Sequence, residues 1–210
     1  RVLLGHAASR LGEAHMETKN YAAAAKAYEE SRTQRRFLVG RRPSSTEWRS
    51  ELGRTCFVLG ACLSNMKKYK EALAATDEAI EHIQVVLQQN DTDSRSRKTL
   101  SGSLGNKAII LRALARLDDA IAATEERMKL WPTNANGLYD AALDLARSYN
   151  SLSEKAESDV DLKSRAVKSA INALQQAIGA GLPNLDQVRT EPIFAKIRET
   201  GEFKTLLNGN

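Results

Sequence analysis

Aromatic side chains are scarce, 5% of 210 residues, and only two of them are tryptophans. Sheets favour aromatic and β-branched residues. Here alanine supplies much of the apolar surface, which suits close helix–helix packing. Long apolar runs are missing too. Runs such as Ala108-Ile109-Ile110-Leu111 are far short of the roughly 20 residues that span a membrane. No basic-then-apolar leader opens the chain, and its first residue is Arg1 rather than Met, so it reads as a piece of something longer. Cysteine is limited to Cys56 and Cys62, six apart on one predicted helix. They point about 240° apart around its axis, so they are expected as two buried reduced thiols in a reducing, cytoplasmic setting. His6, His15 and His82 have no ligand-like company, so no metal and no cofactor are expected.

What is present is charge and alanine. Apolar content is 42% and charged content 27%, a balance that argues against global disorder. The net charge of +5 is unevenly placed: residues 1–54 hold eleven Lys/Arg against six Asp/Glu, and residues 55–210 hold twenty of each. The excess comes from Arg32, Arg35, Arg36, Arg41, Arg42, Arg49 and Arg54. Two readings stand side by side: a solvated face with a loop, or a basic patch for an anionic partner.

Small residues recur at fixed spacing. Ala8-x2-Leu11-Gly12-x2-His15 is followed, twelve residues after the glycine, by Ala24-x3-Tyr28. Cys56-x2-Leu59-Gly60-x2-Leu63 is followed twelve later by Ala72-x3-Thr76. Leu104-x2-Lys107-Ala108-x2-Leu111 is followed twelve later by Ala120-x3-Thr124, then Pro132. Leu138-x2-Ala141-Ala142-x2-Leu145 is followed, after sixteen extra residues, by Ala170-x3-Leu174. The small residue on the first helix of each unit and the alanine on the second mark where two helices approach closely.

This pattern resembles the tetratricopeptide repeat, a helix–turn–helix unit with the signature W-x2-L-G-x2-Y…A-x3-F…P. No unit has the tryptophan, Lys107 replaces the leucine, and only the third unit ends in proline. The resemblance implies an all-α fold, a right-handed α-α superhelix of about four helix pairs over residues 1–180, with short C-terminal capping helices over 181–210 that cover its open apolar end. Helices are predicted near 1–17, 21–39, 46–66, 69–88, 97–115, 117–131, 135–151 and 160–179, then short ones near 184–189, 191–199 and 201–207. A polar, acidic loop is predicted at 152–159.

Units one to two and two to three are 48 residues apart, whereas three to four (Ala108 to Ala142) are 34 apart, the family's usual period. The extra residues are read as a lengthened second helix, a break at Gly40/Pro43 and a Ser/Thr cap. Such long units, and the closing stretch from Ser169 to Leu207, are similar to the C-terminal arms of some bacterial serine/threonine protein kinases. Kinase parts are absent from the chain itself: it has no Gly-rich phosphate loop, no His-Arg-Asp and no Asp-Phe-Gly. Gly102-Ser103-Leu104-Gly105 lacks the spacing of a nucleophile elbow. Asp118-Asp119 and Glu125-Glu126 read as helix-start and solvent-facing charges. The chain is therefore read as non-catalytic.

In this family the first helix of each unit lines the concave side, and residues at i, i+3, i+7 and i+11 share a face. That face holds His6, Ser9, Glu13 and Glu17 in unit one, and Arg54, Phe57, Ala61 and Asn65 in unit two. It holds Gly102, Gly105, Ile109 and Ala113 in unit three, beside Asn106 and Arg112. In unit four it holds Asn136, Tyr139, Leu143 and Arg147, beside Asp140. Phe57, Ile109 and Leu143 could equally be core. The chaperone-tail subclass of the family grips a terminal carboxylate with Lys, Asn and Arg. Its clamp positions fall on Ser9, Glu13, Val58, Gly102 and Asn106, of which Asn106 alone is compatible. The expected partner is a peptide or protein segment, drawn as an acidic one by the arginine series. Nucleic acid ranks below it because few aromatics are available to stack on bases.

Overall fold

The computed structural model describes residues 1–154, 159–184 and 186–208. Among them every regular element is helical. The eight long helices are α1 Val2–Glu17, α2 Tyr21–Arg41, α3 Thr46–Asn65, α4 Tyr69–Gln89, α5 Ser94–Ala113, α6 Leu117–Leu130, α7 Ala135–Ser153 and α8 Val160–Gly179. Short pieces follow: α9 Asp186–Thr190, a 3₁₀ turn Pro192–Phe194, α10 Ala195–Arg198 and α11 Gly201–Asn208. The loop expected at 152–159 falls mostly on residues 155–158, which lie outside the described residues. Packing divides the chain into two compact units, Arg1–Ile110 and Leu111–Asn210.

Within Arg1–Ile110, α1 pairs with α2 and α3 with α4, and α2 also packs on α3. Each pair closes through a three-residue turn built on one left-handed residue, Lys19 (φ 55°) and Lys67 (φ 58°). The turn from α5 to α6 uses Ala115 (φ 59°). These three non-glycine residues are spaced 48 apart, so the backbone itself carries the period. Each turn has the same two hydrogen bonds. The amide of Asn20 donates to the His15 carbonyl at 2.8 Å, with Lys68 to Leu63 and Arg116 to Leu111 at 2.9 Å. The left-handed residue donates three back, Lys19 to Met16 at 3.0 Å. This is a Schellman stop, which satisfies helix-end carbonyls. Polar caps start the next helices: the Asn20, Ser45 and Asn134 side chains accept from the amides of Ala23, Trp48 and Gly137.

The small residues lie at the helix crossings. Ala24, Ala72, Ala120 and Ala170 are each 0% exposed, as are Ala108 and Ala142. A β-carbon on Gly12 would come within 2.8 Å of the Tyr28 ring. One on Gly60 would run into the Thr76 hydroxyl and sit 3.3 Å from the Ala72 carbonyl oxygen. Tyr28 and Thr76 are themselves 48 apart, so the glycines oppose the residue one turn beyond each alanine.

The long period has a simple structural source. α2 and α4 end 17 residues after their packing alanines, at Arg41 and Gln89, whereas α6 ends 10 after Ala120, at Leu130. α3 and α5 begin 14 residues before their small residues, whereas α7 begins 7 before Ala142. Seven residues on one helix and seven on the next make up the extra fourteen. The four-residue connection between units is the same at 42–45, 90–93 and 131–134. The expected break at Gly40 is corrected: α2 runs through Gly40 to Arg41, since one glycine costs a helix only about 1 kcal/mol, and stops at Arg42, the residue before Pro43.

In Leu111–Asn210, α7 packs on α8 and on α6, and the terminal pieces close over α7 and α8. Leu138, Leu145, Leu174, Phe194, Ile197 and Phe203 share one core. Tyr139, Phe194 and Phe203 form an aromatic chain with centroids 6.0 and 6.3 Å apart. The Asn150 amide donates to the Ile193 carbonyl at 3.0 Å and ties the 3₁₀ turn to α7.

Both cysteines are buried and unpaired. Burial, reinforced by Glu78, pushes the Cys56 thiol far up, and burial lifts Cys62 to about 11. Native protein should therefore give almost no thiol titre with an aromatic disulfide reagent at pH 8, and two equivalents in denaturant. A second contrast tests the crossings. Gly60→Ala should cost roughly 1–3 kcal/mol by overpacking. Gly40→Ala, in open space, should add roughly 0.5–1 kcal/mol by helix propensity. Denaturant titration of the two variants checks the opposite signs.

Candidate interaction surface

In Arg1–Ile110, side chains of α1, α3 and α5 meet in sequence. Glu13 on α1 lies 3.8 Å from the Arg54 guanidinium on α3. Arg54 also donates to Glu51 at 3.3 Å, and Glu51 lies 3.8 Å from Arg95 on α5. The result is a ladder of alternating sign across three first helices. One turn along, the Phe57 ring lies over Gly102, where a β-carbon would come within 2.8 Å of it. The glycine thus makes the seat for the ring. Ile109 leaves 48% of its surface exposed on α5. Asn65 is exposed and donates to the Ala61 carbonyl of its own helix at 2.8 Å. Asn106 is half-buried and turns toward α4, donating to the Thr76 hydroxyl at 3.1 Å. The structure therefore brings Arg54, Phe57 and Ile109 to accessible positions and directs Asn106 inward.

The arginine series does not form one open patch, and the residues differ sharply. Arg35 is 4% exposed. Its guanidinium pairs with Glu51 at 2.8 Å and donates to the Glu51 carbonyl at 3.0 Å and to the Thr55 hydroxyl. Placing Arg35 on the basic patch is thus corrected: it is eleven residues beyond Ala24, on the buried face of α2. Arg36 grips Glu78 with two bonds of 2.6 Å, and Arg32 reaches Glu29 and, at 3.5 Å, Glu78. Arg49 donates to the Pro43 carbonyl at 2.6 Å and meets His82 Nδ1 at 3.0 Å. Because a guanidinium only donates, His82 accepts at Nδ1 and keeps its proton on Nε2, 4.0 Å from Glu78. Arg42 stacks 5.6 Å over Trp48, and Arg41 is exposed. Glu51 and Glu78, which the sequence pattern did not single out, are the centres around which these cations gather. Beside Glu51 opens a cleft of about 240 Å³ lined in part by Glu47, Ser50, Asp93 and Arg95.

The electrostatics follow from burial against pairing. For Glu51, burial favours the neutral acid, but Arg54 and Arg35 outweigh it and hold the carboxyl below its usual range. Glu78 is likewise lowered, burial being overcome chiefly by the Arg36 hydrogen bond. Burial lowers His82 against the attraction of Glu78.

Leu111–Asn210 has its own centre. Asp144 on α7 is 6% exposed and takes three arginines: Arg112 at 3.0 Å, Arg127 at 3.3 Å and Arg147 at 3.1 Å. Arg112, expected on the open face, is turned onto Asp144 with 12% of its side chain exposed, and burial lowers its pKa against the pull of that carboxylate. Arg147 is 45% exposed, Asp140 is exposed 3.9 Å from Arg127, and Tyr139 is half-buried against Phe194. On the side toward α8, Arg165 binds Glu125 at 2.5 Å and Asp118 at 2.6 Å. Among the described residues no group of three or more His, Cys, Asp or Glu side chains is placed to hold a metal, and no helix is long and apolar enough to cross a membrane.

No family model and no curated protein matches the sequence. Among solved structures 24 chains match, one of them the crystal structure of MamA protein. It is 15% identical, with a TM-score of 0.30, over 91% of this chain and 97% of that one. The helix pairs, their left-handed turns and the buried small residues by themselves make the fold a tetratricopeptide-like helical repeat.

Two neighbouring arginines of α2 should respond very differently. Arg35→Ala strips a buried cation from Glu51 and should cost about 3 kcal/mol. Arg36→Ala, at a side chain 53% exposed, should cost about 0–1 kcal/mol. Chemical denaturation checks both. The pH dependence has a fixed sign as well. Folded pKa values of Glu51, Glu78 and His82 all lie below their unfolded values, so the unfolded chain binds more protons and stability falls with pH. Loss should begin gently below about pH 6.5 through His82 and steepen below about pH 4.5 through the glutamates. His82→Asn should remove the first phase of a thermal-melt pH series and leave the second.

Proposed function

We propose that the chain is a non-catalytic protein–protein interaction module that takes a peptide or protein segment on the first-helix face of its pairs. The observation that carries this reading is the face of α1, α3 and α5. It offers Ile109 half exposed on α5, and on α3 Arg54 one-third exposed with the half-buried Phe57 ring one turn along over Gly102. An apolar anchor next to a charge that can change partners is what short segments use for affinity and register. In the second unit Tyr139, Asp140 and Arg147 play the corresponding part. The ladder carries both signs, so the partner we favour presents an apolar side chain flanked by one carboxylate rather than a long acidic run. The residue range 1–180 acts as the array and 181–210 as its cap. A cytoplasmic setting accords with the two buried thiols.

A second reading is that the chain is the docking or regulatory C-terminal arm of a bacterial serine/threonine protein kinase whose catalytic domain lies elsewhere in the polypeptide. The 48-residue spacing of Lys19, Lys67 and Ala115 favours it. The same binding face would then serve substrate or regulator docking.

The test starts from peptides selected against the whole chain by display and measured by calorimetry. Phe57→Ala/Ile109→Ala should weaken a selected peptide by more than tenfold, while Arg41→Ala should change affinity less than twofold. Unchanged affinity in the first variant, with its helical spectrum intact, would place the binding surface elsewhere.

A further inference from the structure

The arginines between positions 32 and 54 are not equally engaged. Arg32, Arg35, Arg36 and Arg54 each face a glutamate, and Arg49 is held by the Pro43 carbonyl and His82. Arg41 and Arg42 have no carboxylate partner among the described residues. Both are exposed, and Arg42 rests over the Trp48 ring. These two cations stand side by side directly before Pro43 and Ser44, in the connection from α2 to α3. Glu47 is the one carboxylate in residues 41–49, against three arginines.

The repeat isolates what is peculiar to this connection. Ser44, Thr92 and Thr133 are each the third residue of their four-residue connection. Thr92 is tied down: its amide and its hydroxyl donate to the Asn90 side chain at 3.2 and 2.8 Å, and an aspartate stands on either side of it. Thr133 follows Trp131-Pro132, with no arginine nearer before it than Arg127. Ser44 is exposed, its hydroxyl is bonded to no other described residue, and arginines occupy the second and third positions before it. The backbone there is already half open. Pro43 disfavours helix at the residue before it, and Arg42 has φ −140° and ψ 81°. Ser45 is extended, at φ −71° and ψ 107°. The turn between them is closed by the Ser45 amide on the Arg42 carbonyl at 3.1 Å and braced by Arg49 on the Pro43 carbonyl. Short solvent-exposed turns of this kind open at low free energy.

We propose that Ser44 is a phosphorylation site for a serine/threonine kinase whose acidic cleft selects arginines two and three residues before its target. Kinases choose substrates by such charge patterns, and Arg41 and Arg42 supply this one without first breaking an ion pair. In the transfer, the Ser44 hydroxyl oxygen bonds to the γ-phosphorus of ATP. The bond from that phosphorus to the bridging oxygen of ADP breaks, and the hydroxyl proton goes to the kinase's catalytic carboxylate. The phosphoserine carries roughly two negative charges. It lies beside Arg41, Arg42 and the Arg49 guanidinium, and it cancels the three-to-one excess of arginine over glutamate in residues 41–49. The modification is therefore a charge switch on the exposed basic end of α2.

Incubation of the folded whole chain with the purified catalytic subunit of an arginine-directed kinase and magnesium-ATP tests this, read by intact mass and peptide mapping. The expected result is one phosphoryl group per chain, on Ser44. Ser44→Ala should take up none and Ser44→Thr should restore uptake, both with an unchanged helical spectrum. Arg41→Ala/Arg42→Ala should slow the initial rate more than tenfold. Arg36→Ala, at an exposed arginine paired with Glu78, should change it less than twofold. No uptake by the folded chain, uptake that survives Ser44→Ala, equal modification of Thr92 or Thr133, or a rate indifferent to Arg41 and Arg42 overturns the inference.

Discussion

Everything in this structure depends on how closely two helices of a pair can approach at one point. Gly12 and Gly60 present no side chain there, and the facing helix fills the space with Tyr28 in one pair and Thr76 in the other. Close approach is what lets a three-residue turn span the pair, and the turn in turn forces one residue into the left-handed region. The crossing, the turn and the packing alanine are thus a single constraint expressed at three positions. Tyr28 against Thr76 shows its tolerance: the opposing side chain can vary in size so long as it is buried, and the bare glycine of these two pairs is an alanine, Ala108, at the same place on α5.

Lengthening the helices created a second problem. The outer halves of α2 and α3, with the facing stretch of α4, bury a small apolar cluster of Val39, Leu52, Cys56 and Ala79 and enclose charged side chains beside it. The solution is ionic: Arg35 with Glu51, and Arg36 and Arg32 with Glu78. A buried pair contributes little net stability when intact, but removing one partner is costly, because the other is left charged and poorly solvated. The positive excess of residues 1–54 is therefore partly neutralised by Glu78, a residue outside that segment. The attraction of this end for an anion is weaker than its sequence charge suggests, and Arg36, Arg41 and Arg42 are the members of the series left exposed.

Period, helix order and most helix boundaries could be read from the sequence because they depend on contacts between residues near one another along the chain. A Gly or Ala every twelve residues from an alanine is a local signal, and so is a Ser or Asn cap. Charge partners are different. Arg36 meets Glu78 forty-two residues away, and Arg112 meets Asp144 thirty-two away. No local pattern distinguishes these from solvent-facing arginines. Arg35 was the exception, since Ala24, Tyr28, Ser31 and Arg35 fall at i, i+4, i+7 and i+11, one helical face. Reading the arginines as a charge series hid that phase. Phe57 and Ile109 had two open readings because a first helix is bordered on both sides. Gly102 decided the ring's place, and Ile109 stays half exposed.

The extra residues come as seven on one helix and seven on the next, and seven residues are two turns less about 20°. A helix extended by that amount returns its packing face to nearly the same heading, and the next helix, extended equally, starts from a connection of unchanged length. Pair width is thereby decoupled from pair stacking. The molecule could be widened or narrowed in steps of two turns without re-solving a single crossing, and the mixture of 48- and 34-residue spacings in one chain shows both settings of that ruler in use.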